Sequence, residues 1–286
     1  MHNTPIPDSV TVTVLVENTT NSTLRCEHGL SLLMEWRGRR ILLDAGQTGL
    51  FLENTDALGL SLTELDACVL SHGHYDHAGG FGALLRQDPA ARVYAQKLVF
   101  EPHLSGSGGK IHDIGVPPAV AEQRERFLLI EGMTEILSGV YLVPHNTANL
   151  AQLGAKGKLY RQAGGELLPD DFSHEQSLVL DTARGLVLFN SCSHGGAANI
   201  LREAREALGK PVYAYIGGLH LKGHRNGREV CALPPAEMDE LCGAFLRENV
   251  RHIYTGHCTG APGLELLRQG LGERAHTLTT GLRFTV

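Results

Sequence analysis

The stretch Ser-His-Gly-His-Tyr-Asp-His-Ala-Gly-Gly at residues 71–80 places three imidazoles and one carboxylate within six consecutive positions. The potential metal ligands are His72, His74, Asp76 and His77. Imidazole and carboxylate groups are ordinary ligands of transition metals, and four of them at this spacing after an apolar segment indicate an ion site. The alternative is a histidine-rich surface loop without an ion, which has no need of this spacing.

The flanks of this stretch indicate a turn between a strand and a helix. Residues 65–70, Leu-Asp-Ala-Cys-Val-Leu, are typical of a short buried strand, and residues 79–86 of a helix that begins with small residues. Side chains two positions apart in an extended segment project to the same side, so His72 and His74 are expected to hold one ion. The other two donors lie past the bend and are expected to face a second ion.

The types of donor limit the choice of metal. Neutral imidazoles suit zinc, iron, nickel and copper, whereas an aspartate oxygen keeps manganese and iron as alternatives. We therefore expect two divalent metal ions, with zinc favoured and iron or manganese as alternatives. Such ions generate a nucleophile from water near neutral pH, so hydrolysis would require no serine or cysteine nucleophile.

The chain resembles the metallo-β-lactamase superfamily, whose signature His-x-His-x-Asp-His is matched completely at residues 72–77. Residues 38–46, Gly-Arg-Arg-Ile-Leu-Leu-Asp-Ala-Gly, resemble the early strand of that family, which ends in Asp-x-Gly. Residues 253–257, Ile-Tyr-Thr-Gly-His, resemble its late strand, which ends in Gly-His. The resemblance implies an αββα sandwich with the metals at one sheet edge, and a metal-dependent hydrolase activity.

Four further segments resemble one branch of the superfamily: Glu27–Ser31, Cys192–His194, Gly217–His220 and Gly256–Gly260. That branch includes 7,8-dihydropterin-6-methyl-4-(β-D-ribofuranosyl)aminobenzene-5'-phosphate synthase and many hydrolase-like bacterial proteins. The resemblance implies a hydrolase of a small ester, lactone, amide or phosphoester. The alternatives are a transferase like that synthase, in which the ions would neutralise a departing pyrophosphate, and a metal-containing ligand-binding or regulatory protein with little turnover.

The second half of the chain departs from the family where the ligand set is completed. In the family, a strand ends in Gly-Asp and the aspartate bridges both ions, but here residues 185–190 run into Ser-Cys-Ser-His at 191–194. Cys192 therefore occupies the bridging position. Either its thiolate binds an ion, or His194 turns inward as the third imidazole. We favour His194, with Cys192 as a near neighbour, and expect His257 to be the sixth ligand.

Other residues are weaker candidates. His145 and His174 compete for the place of the family's third histidine, and neither matches its motif convincingly. His220 follows a strand into a glycine turn, so we expect it to line the pocket as an acid or a substrate contact rather than as a ligand. Together with Asp76 it is our candidate for a catalytic role.

Three residues are candidates for supporting positions. Asp44 ends a strand beside the metal turn, where a carboxylate can accept the second N–H of a ligand histidine. Glu27 and His28 lie on an early loop and are weak candidates for the rim of the site, with a purely structural turn as the alternative.

Composition limits the class of protein and its partners. The chain of 286 residues is 42% hydrophobic and 20% charged, which suits one large α/β domain. A net charge of −6 without visible lysine and arginine clusters argues against nucleic acid, so a small-molecule substrate is expected. No apolar run approaches a membrane-spanning length and the start lacks the regions of a signal peptide, so a cytoplasmic location is expected. The oligomeric state stays open.

The order of patterned segments predicts the architecture. Strand patterns begin again at Gly139, which indicates two similar β-rich halves flanked by helices, about residues 1–138 and 139–286. The polar stretch between His145 and Asp171 shows no clear periodicity and predicts a long substrate-covering loop. Six cysteines without paired spacing indicate reduced thiols. Five other histidines are expected on the surface or in ordinary packing: His103, His112, His224, His252 and His276.

Overall fold

Two β-sheets pack face to face in a computed structural model that describes residues 8–286. Within that range the first sheet has seven strands, in the order β20 (Arg283–Thr285), β1 (Thr11–Val16), β2 (Ser31–Trp36), β3 (Arg39–Leu43), β4 (Ala67–Val69), β5 (Val93–Gln96) and β8 (Phe127–Ile130). The N-terminal segment, on which the expected lack of a signal peptide rests, lies outside the described residues.

The second sheet also contains seven strands formed by the described residues. Their order is β19 (Ala275–Thr277), β18 (His252–Thr255), β15 (Val212–Ile216), β14 (Gly185–Phe189), β13 (Gln176–Thr182), β10 (Val140–Pro144) and β9 (Thr134–Leu137). A smaller sheet has the order β12 (Glu166–Pro169), β11 (Leu159–Ala163), β6 (His103–Ser105) and β7 (His112–Asp113), and a hairpin joins β16 (Lys222–Arg225) to β17 (Arg228–Cys231).

Helices cover the outer faces of the two large sheets. The helices are α1 (Leu50–Ala57), α2 (Tyr75–Ala78), α3 (Phe81–Gln87), α4 (Pro118–Ala121), α5 (Leu150–Gly157), α6 (Ala197–Leu208), α7 (Pro235–Arg247) and α8 (Gly260–Leu271). Apolar residues of α1 and α3 pack on the first sheet, and those of α6, α7 and α8 on the second. A third apolar core lies between the sheets. The predicted four-layer αββα sandwich is therefore confirmed.

The two sheets each exchange one strand with the other half of the sequence. Strand β9 precedes Gly139 but pairs with β10 in the second sheet, and β20 at the far end of the chain pairs with β1 in the first. The chain thus crosses between the sheets before the middle of the sequence, at β9, and again at its end, at β20. The division into halves at residue 138 was drawn from the return of strand patterns, and it does not follow the boundary between the sheets.

Parallel strands bring their carboxyl ends to one edge of each sheet. In the first sheet β3, β4 and β5 are parallel, and in the second β14, β15 and β18 are parallel. The metal motif follows β4, while the segments at 190–194, 217–220 and 256–259 follow the three strands of the second sheet. A backbone hydrogen bond of 2.9 Å from Gln176 N–H to the Ser71 carbonyl joins the two edges.

A glycine allows the loops of the second sheet to converge. Gly217 has a φ of +139°, and a Cβ built there would lie 1.9 Å from the carbonyl oxygen of Asn190. No larger residue fits between these chain segments without moving the backbone. The turn after β15 can therefore lie directly against the turn after β14.

The predicted long loop between His145 and Asp171 is wrong. This stretch forms α5, β11 and β12, and the hairpin turns at Gly164 and Gly165, both of which have positive φ. Leu150, Leu159 and Phe172 form a small core of their own. The pattern was missed because most side chains of this hairpin face solvent, so the apolar periodicity that signals a strand is weak.

Replacing Phe189 with alanine is expected to lower the free energy of unfolding by about 3–5 kcal/mol, because the ring is fully buried between the two sheets. Leu246→Ala is the matched control, since that side chain on α7 is 46% exposed, and its change should stay within about 0.5 kcal/mol. Urea unfolding curves of the two variants measure both values. Equal destabilisation of the two variants would contradict the described core.

Candidate metal centre

Seven donor side chains from both sheets are buried together at the shared edge. The motif after β4 contributes four of them, the turn after β14 contributes Cys192 and His194, and the turn after β18 contributes His257. Each is at most 7% exposed. The structure thus brings together all six residues that the sequence predicted as ligands, and Cys192 is the seventh donor of the cluster.

Three imidazoles form one half of this cluster. The ring centroids of His72 and His74 are 4.5 Å apart, and those of His194 lie 5.0 Å and 4.8 Å from them. The Nε2 atoms of His72 and His74 and both ring nitrogens of His194 are buried without a hydrogen-bond partner. Buried polar atoms are rarely left unpaired, so these nitrogens fit a cation that would accept their lone pairs.

Asp44 and Ser71 fix the orientation of His72. The hydroxyl of Ser71 donates to Asp44 Oδ2 at 2.7 Å, so it accepts the proton of His72 Nδ1, also at 2.7 Å. The proton of His72 therefore lies on Nδ1, and the unpaired Nε2 carries the lone pair. This is the arrangement that a metal-binding imidazole needs.

Two imidazoles face each other in the other half of the cluster. His77 Nδ1 donates to Asp44 Oδ2 at 2.7 Å, and His257 Nδ1 donates to Asn18 Oδ1 at 2.9 Å. Their Nε2 atoms therefore both carry lone pairs in the neutral rings, yet these atoms are only 3.1 Å apart. Such an arrangement requires a positive charge between or beside the two nitrogens.

Two further donor groups, Asp76 and Cys192, lie around the same point. Asp76 Oδ2 lies 3.3 Å from His257 Nε2 and 3.7 Å from His77 Nε2, and Cys192 Sγ lies 3.2 Å from His77 Nε2. Cys192 also lies within ligand distance of the first half, because its sulfur and one nitrogen each of His72 and His194 are all within 4.8 Å of one another. Cys192 is therefore placed between the two halves, at the position where the resemblance to the metallo-β-lactamase superfamily implies a bridging aspartate.

Burial and neighbouring charges set the protonation of the cluster. Burial, and then repulsion from neighbouring imidazoles, holds the pKa of His72 and of His194 well below the ordinary value. Burial, and then repulsion from the imidazoles of His174 and His103, also holds the pKa of His74 well below that value. Burial also lowers the pKa of His77, but the Asp76 and Asp44 carboxylates outweigh it and raise that pKa. The three imidazoles of the first half are thus neutral at pH 7, which is the form that binds metal.

The two acidic donors respond to burial differently. Burial raises the pKa of the Asp76 carboxyl, but the imidazoles of His77, His257 and His28 outweigh it and hold that pKa well below its usual range. Burial raises the pKa of the Cys192 thiol well above its usual value. Asp76 is therefore ionised at neutral pH, whereas Cys192 needs a nearby cation to become a thiolate.

Asp44 makes the contact expected of it. Besides accepting from His77 and from the Ser71 hydroxyl, its Oδ1 accepts the backbone N–H of Ser71 at 2.7 Å. The residue is fully buried and has a φ of +57°, an uncommon conformation for a residue other than glycine. One carboxylate therefore orients a histidine in each half of the cluster.

The early loop contributes one residue to the rim and one to the scaffold. His28 Nε2 lies 3.1 Å from Asp76 Oδ2, and 47% of its side chain is exposed. Glu27 instead accepts the backbone N–H groups of Gln47 and Thr48 at 3.0 Å and 2.9 Å. His28 thus faces both the cluster and solvent, whereas Glu27 has the structural role that was its alternative.

His145 and His174 do not offer a free nitrogen. His145 Nδ1 lies 3.0 Å from a carboxylate oxygen of Glu203, and its Nε2 accepts the side-chain amide of Asn190 at 3.0 Å. His174 Nδ1 accepts the backbone N–H of Gly73 at 2.9 Å, so its Nε2 donates to the carboxylate of Asp170 at 3.2 Å. Of His145, His174 and His194, only His194 has both ring nitrogens buried without a hydrogen-bond partner.

A buried carboxylate below the motif was missed from the sequence. Asp170 Oδ2 accepts from His174 Nε2 and from His103 Nδ1, each at 3.2 Å. Burial raises the pKa of Asp170, but the two imidazoles outweigh it and lower it far below its usual range. His103 was expected on the surface or in ordinary packing, yet it is 1% exposed and stacks on His174 in this network. No spacing in the sequence connects the three residues.

The other missed residues are on the first loop after β1. The side-chain oxygen of Asn18 accepts the ring N–H of His257, and Glu17 Oε1 accepts the backbone N–H of His257 at 2.5 Å.

His220, a predicted pocket residue, is exposed and its ring centroid lies 4.5 Å from that of His194. His28 and His220 thus lie at the solvent-facing side of the cluster, beside different halves.

Comparisons with known proteins find similar sequences and similar folds. Residues 24–158 match the family model of the metallo-β-lactamase superfamily. A Methanocaldococcus jannaschii protein, 7,8-dihydropterin-6-methyl-4-(β-D-ribofuranosyl)-aminobenzene-5'-phosphate synthase, is 27% identical over 96% of each chain. The structure of Tm1679, described as a metal-dependent hydrolase of the β-lactamase superfamily, is 28% identical and aligns with a TM-score of 0.81 over 97% of this chain and 99% of its own.

More distant structures share the fold alone. Zinc-bound PqqB from Methylobacterium extorquens aligns with a TM-score of 0.55 at 13% identity, over 96% of this chain and 100% of its own. None of the helices formed by residues 8–286 combines the length and apolarity needed to cross a bilayer. The motif, the sandwich and these relatives lead to one conclusion: the chain has the fold of the metallo-β-lactamase superfamily, and its residues 24–158 match the model of that family.

Proposed function

We propose that this chain is a metal-dependent hydrolase that acts on a small ester, lactone, amide or phosphoester. The observation that carries the proposal is the pair of facing Nε2 atoms of His77 and His257, 3.1 Å apart, with Asp76 beside them. Two divalent cations held at such a site would acidify a water molecule and stabilise negative charge that develops on a substrate oxygen.

The donors divide into two sets. One ion would be held by His72, His74 and His194, and the other by Asp76, His77 and His257, with Cys192 as the donor common to both sets. Imidazole and thiolate ligands together favour zinc over manganese, with iron as the alternative. The thiol then replaces the aspartate that bridges the ions elsewhere in the family.

Three residues would act on the substrate side. The Asp76 carboxylate accepts the proton of His28 Nε2, since the side-chain amide of Asn18 donates to His28 Nδ1 at 3.3 Å. Asp76 is thereby held in one orientation from which it can position water. His220 lies in solvent beside His194 and can pass a proton to a departing group.

The variants His74→Ala and Asp76→Ala are expected to lose about 100-fold or more of kcat/KM on any substrate that the wild type hydrolyses, because each removes a donor of a different ion. A panel of esters, lactones, amides and phosphodiesters supplies the substrate. Metal content and far-ultraviolet circular dichroism of each variant separate loss of metal from loss of fold.

His112→Ala is the matched control for these variants, since His112 is an exposed histidine on the small sheet. Its activity should equal that of the wild type. Unchanged turnover in a folded Asp76→Ala protein would reject the hydrolase proposal.

The metal-free protein is expected to lose stability as the pH falls from 7.5 to 5.5. The folded pKa values of His72, His74, His174 and His194 are lowered, whereas unfolded histidines titrate near their ordinary pKa of about 6.5. The unfolded state therefore binds more protons over this range, which favours unfolding. His77 opposes the trend because its pKa is raised, but it is one residue against these four, and the lowered pKa values of His252 and His276 act in the same direction as the four. Urea midpoints at each pH measure the effect.

Between pH 7.5 and 5.5 the urea midpoint of His194→Asn should fall less than that of the wild type. The urea midpoint of His112→Gln, which changes an exposed histidine, should fall as much as that of the wild type. A metal-free midpoint that rises toward pH 5.5 would contradict the assigned protonation states.

A transferase is the second candidate function. It is favoured by the likeness to the Methanocaldococcus jannaschii synthase over nearly the whole chain. Incubation with a dihydropterin pyrophosphate and an arylamine ribofuranosyl phosphate, followed by mass spectrometry, distinguishes the two activities. A condensed product would favour the transferase. Neither condensation nor hydrolysis, together with tight retention of a cellular metabolite, would instead favour a ligand-binding or regulatory protein.

A further inference from the structure

Two cysteines meet at the inner side of the metal centre. The sulfur of Cys258 lies 3.6 Å from the backbone oxygen of Cys192. They come from the turns after β18 and β14, which are separated by β15. Gly218, in the turn after β15, lies between the two cysteines. A Cβ built on Gly218 would lie 2.4 Å from Cys258 Sγ and 3.6 Å from Cys192 Cα. The missing side chain of Gly218 leaves the space that the Cys258 sulfur fills.

The two thiols differ in their access to solvent. Cys192 is 3% exposed, whereas Cys258 is only partly buried and accepts the backbone N–H of His220 at 3.3 Å. His220 itself is exposed. A small oxidant that enters beside His220 therefore reaches the sulfur of Cys258 first, with Cys192 immediately behind it.

We propose that Cys192 and Cys258 form a reversible disulfide that disables the metal centre under oxidising conditions. The two cysteines form a site of covalent modification, and the compound that modifies them is a peroxide. It does not depend on which reaction the protein catalyses.

The chemistry proceeds in two balanced steps. Hydrogen peroxide oxidises the Cys258 thiol to a sulfenic acid and is reduced to one water. The Cys192 sulfur then attacks the Cys258 sulfur, so that the S–S bond forms, the S–O bond breaks, and a second water leaves with the thiol proton. Together the two thiols lose two electrons and two protons. A dithiol reductant reverses the change by thiol–disulfide exchange.

The disulfide would remove the donor that both halves of the site share. Cys192 Sγ lies 3.2 Å from His77 Nε2 and within reach of His72 and His194. Cys258 also follows His257 directly in the chain, so the bond would tie the turn that carries this histidine to Cys192. A disulfide sulfur has no thiolate to bind an ion, so we expect the affinity for zinc to fall at least about tenfold.

The test uses the full-length, zinc-loaded protein treated with an equimolar amount of hydrogen peroxide. After the remaining thiols are blocked, trypsin releases residues 185–202 and 252–268, each of which contains one of the two cysteines. Mass spectrometry without reduction is expected to find these two peptides joined, and a chromophoric chelator is expected to report zinc release at the same rate. Dithiothreitol should separate the peptides and restore zinc binding.

Variants assign the order of the steps. In Cys192→Ser, dimedone should label Cys258, because its sulfenic acid has no thiol to attack it. In Cys258→Ser, peroxide should release zinc at least about tenfold more slowly than in the wild type. Cys26→Ser, which removes an exposed thiol outside the pair, is the matched control and should behave as the wild type does.

Two results would overturn the proposal. One is oxidation of Cys258 to sulfinic acid without the joined peptides. The other is zinc release from Cys258→Ser as fast as from the wild type. The joined peptides are detected whether or not any substrate is turned over.

Discussion

Two imidazole nitrogens that point at each other across 3.1 Å are the constraint on which the site depends. The Nδ1 atoms of His77 and His257 are occupied by Asp44 and Asn18, so both Nε2 atoms present lone pairs to the same point. Neutral rings in this arrangement repel each other, and only a proton or a metal ion makes the contact favourable. The Asp76 carboxylate and the Cys192 sulfur surround that point and complete a set of donors suited to a divalent cation.

The sandwich places the turns that carry these donors next to one another. Parallel strands in each sheet end at a common edge, and the turns that follow them carry every donor of the cluster. Strand β20 fastens the end of the chain to β1, the strand that leads into Asn18. Gly217 lets the turn after β15 lie against the turn after β14, and Gly218 leaves room for Cys258 on the turn after β18. Packing between the sheets therefore holds donors that are far apart in sequence at hydrogen-bonding distances.

Sequence alone identifies the donors better than it identifies what holds them. His72 to His77 are adjacent and follow a clear strand, so their chemistry and their place on the fold follow from spacing. Asp44 was predicted as a supporting carboxylate because it ends a strand beside the metal turn. His194 and His257 required the resemblance to a family, because nothing in the local pattern relates them to the motif. The choice between His194 and Cys192 needed coordinates, which place both residues at the cluster.

Residues contributed by irregular segments could not be predicted. Asn18, Asp170 and His103 lie on loops or short edge strands whose positions depend on packing across the whole chain. The hairpin at 159–169 was mistaken for a loop because its strands are largely exposed and lack an apolar alternation. This wrong prediction matters for function because Asp170 follows the hairpin directly. Asp170 accepts a hydrogen bond from His174, which in turn accepts the backbone N–H of Gly73 between His72 and His74.

Metal analysis of protein purified without chelators tests the central claim most directly. The account predicts about two divalent ions per chain. The variant His257→Gln should retain only the ion bound by the other half. A wild-type sample that folds normally and contains no stoichiometric transition metal, even after incubation with zinc, would contradict the account.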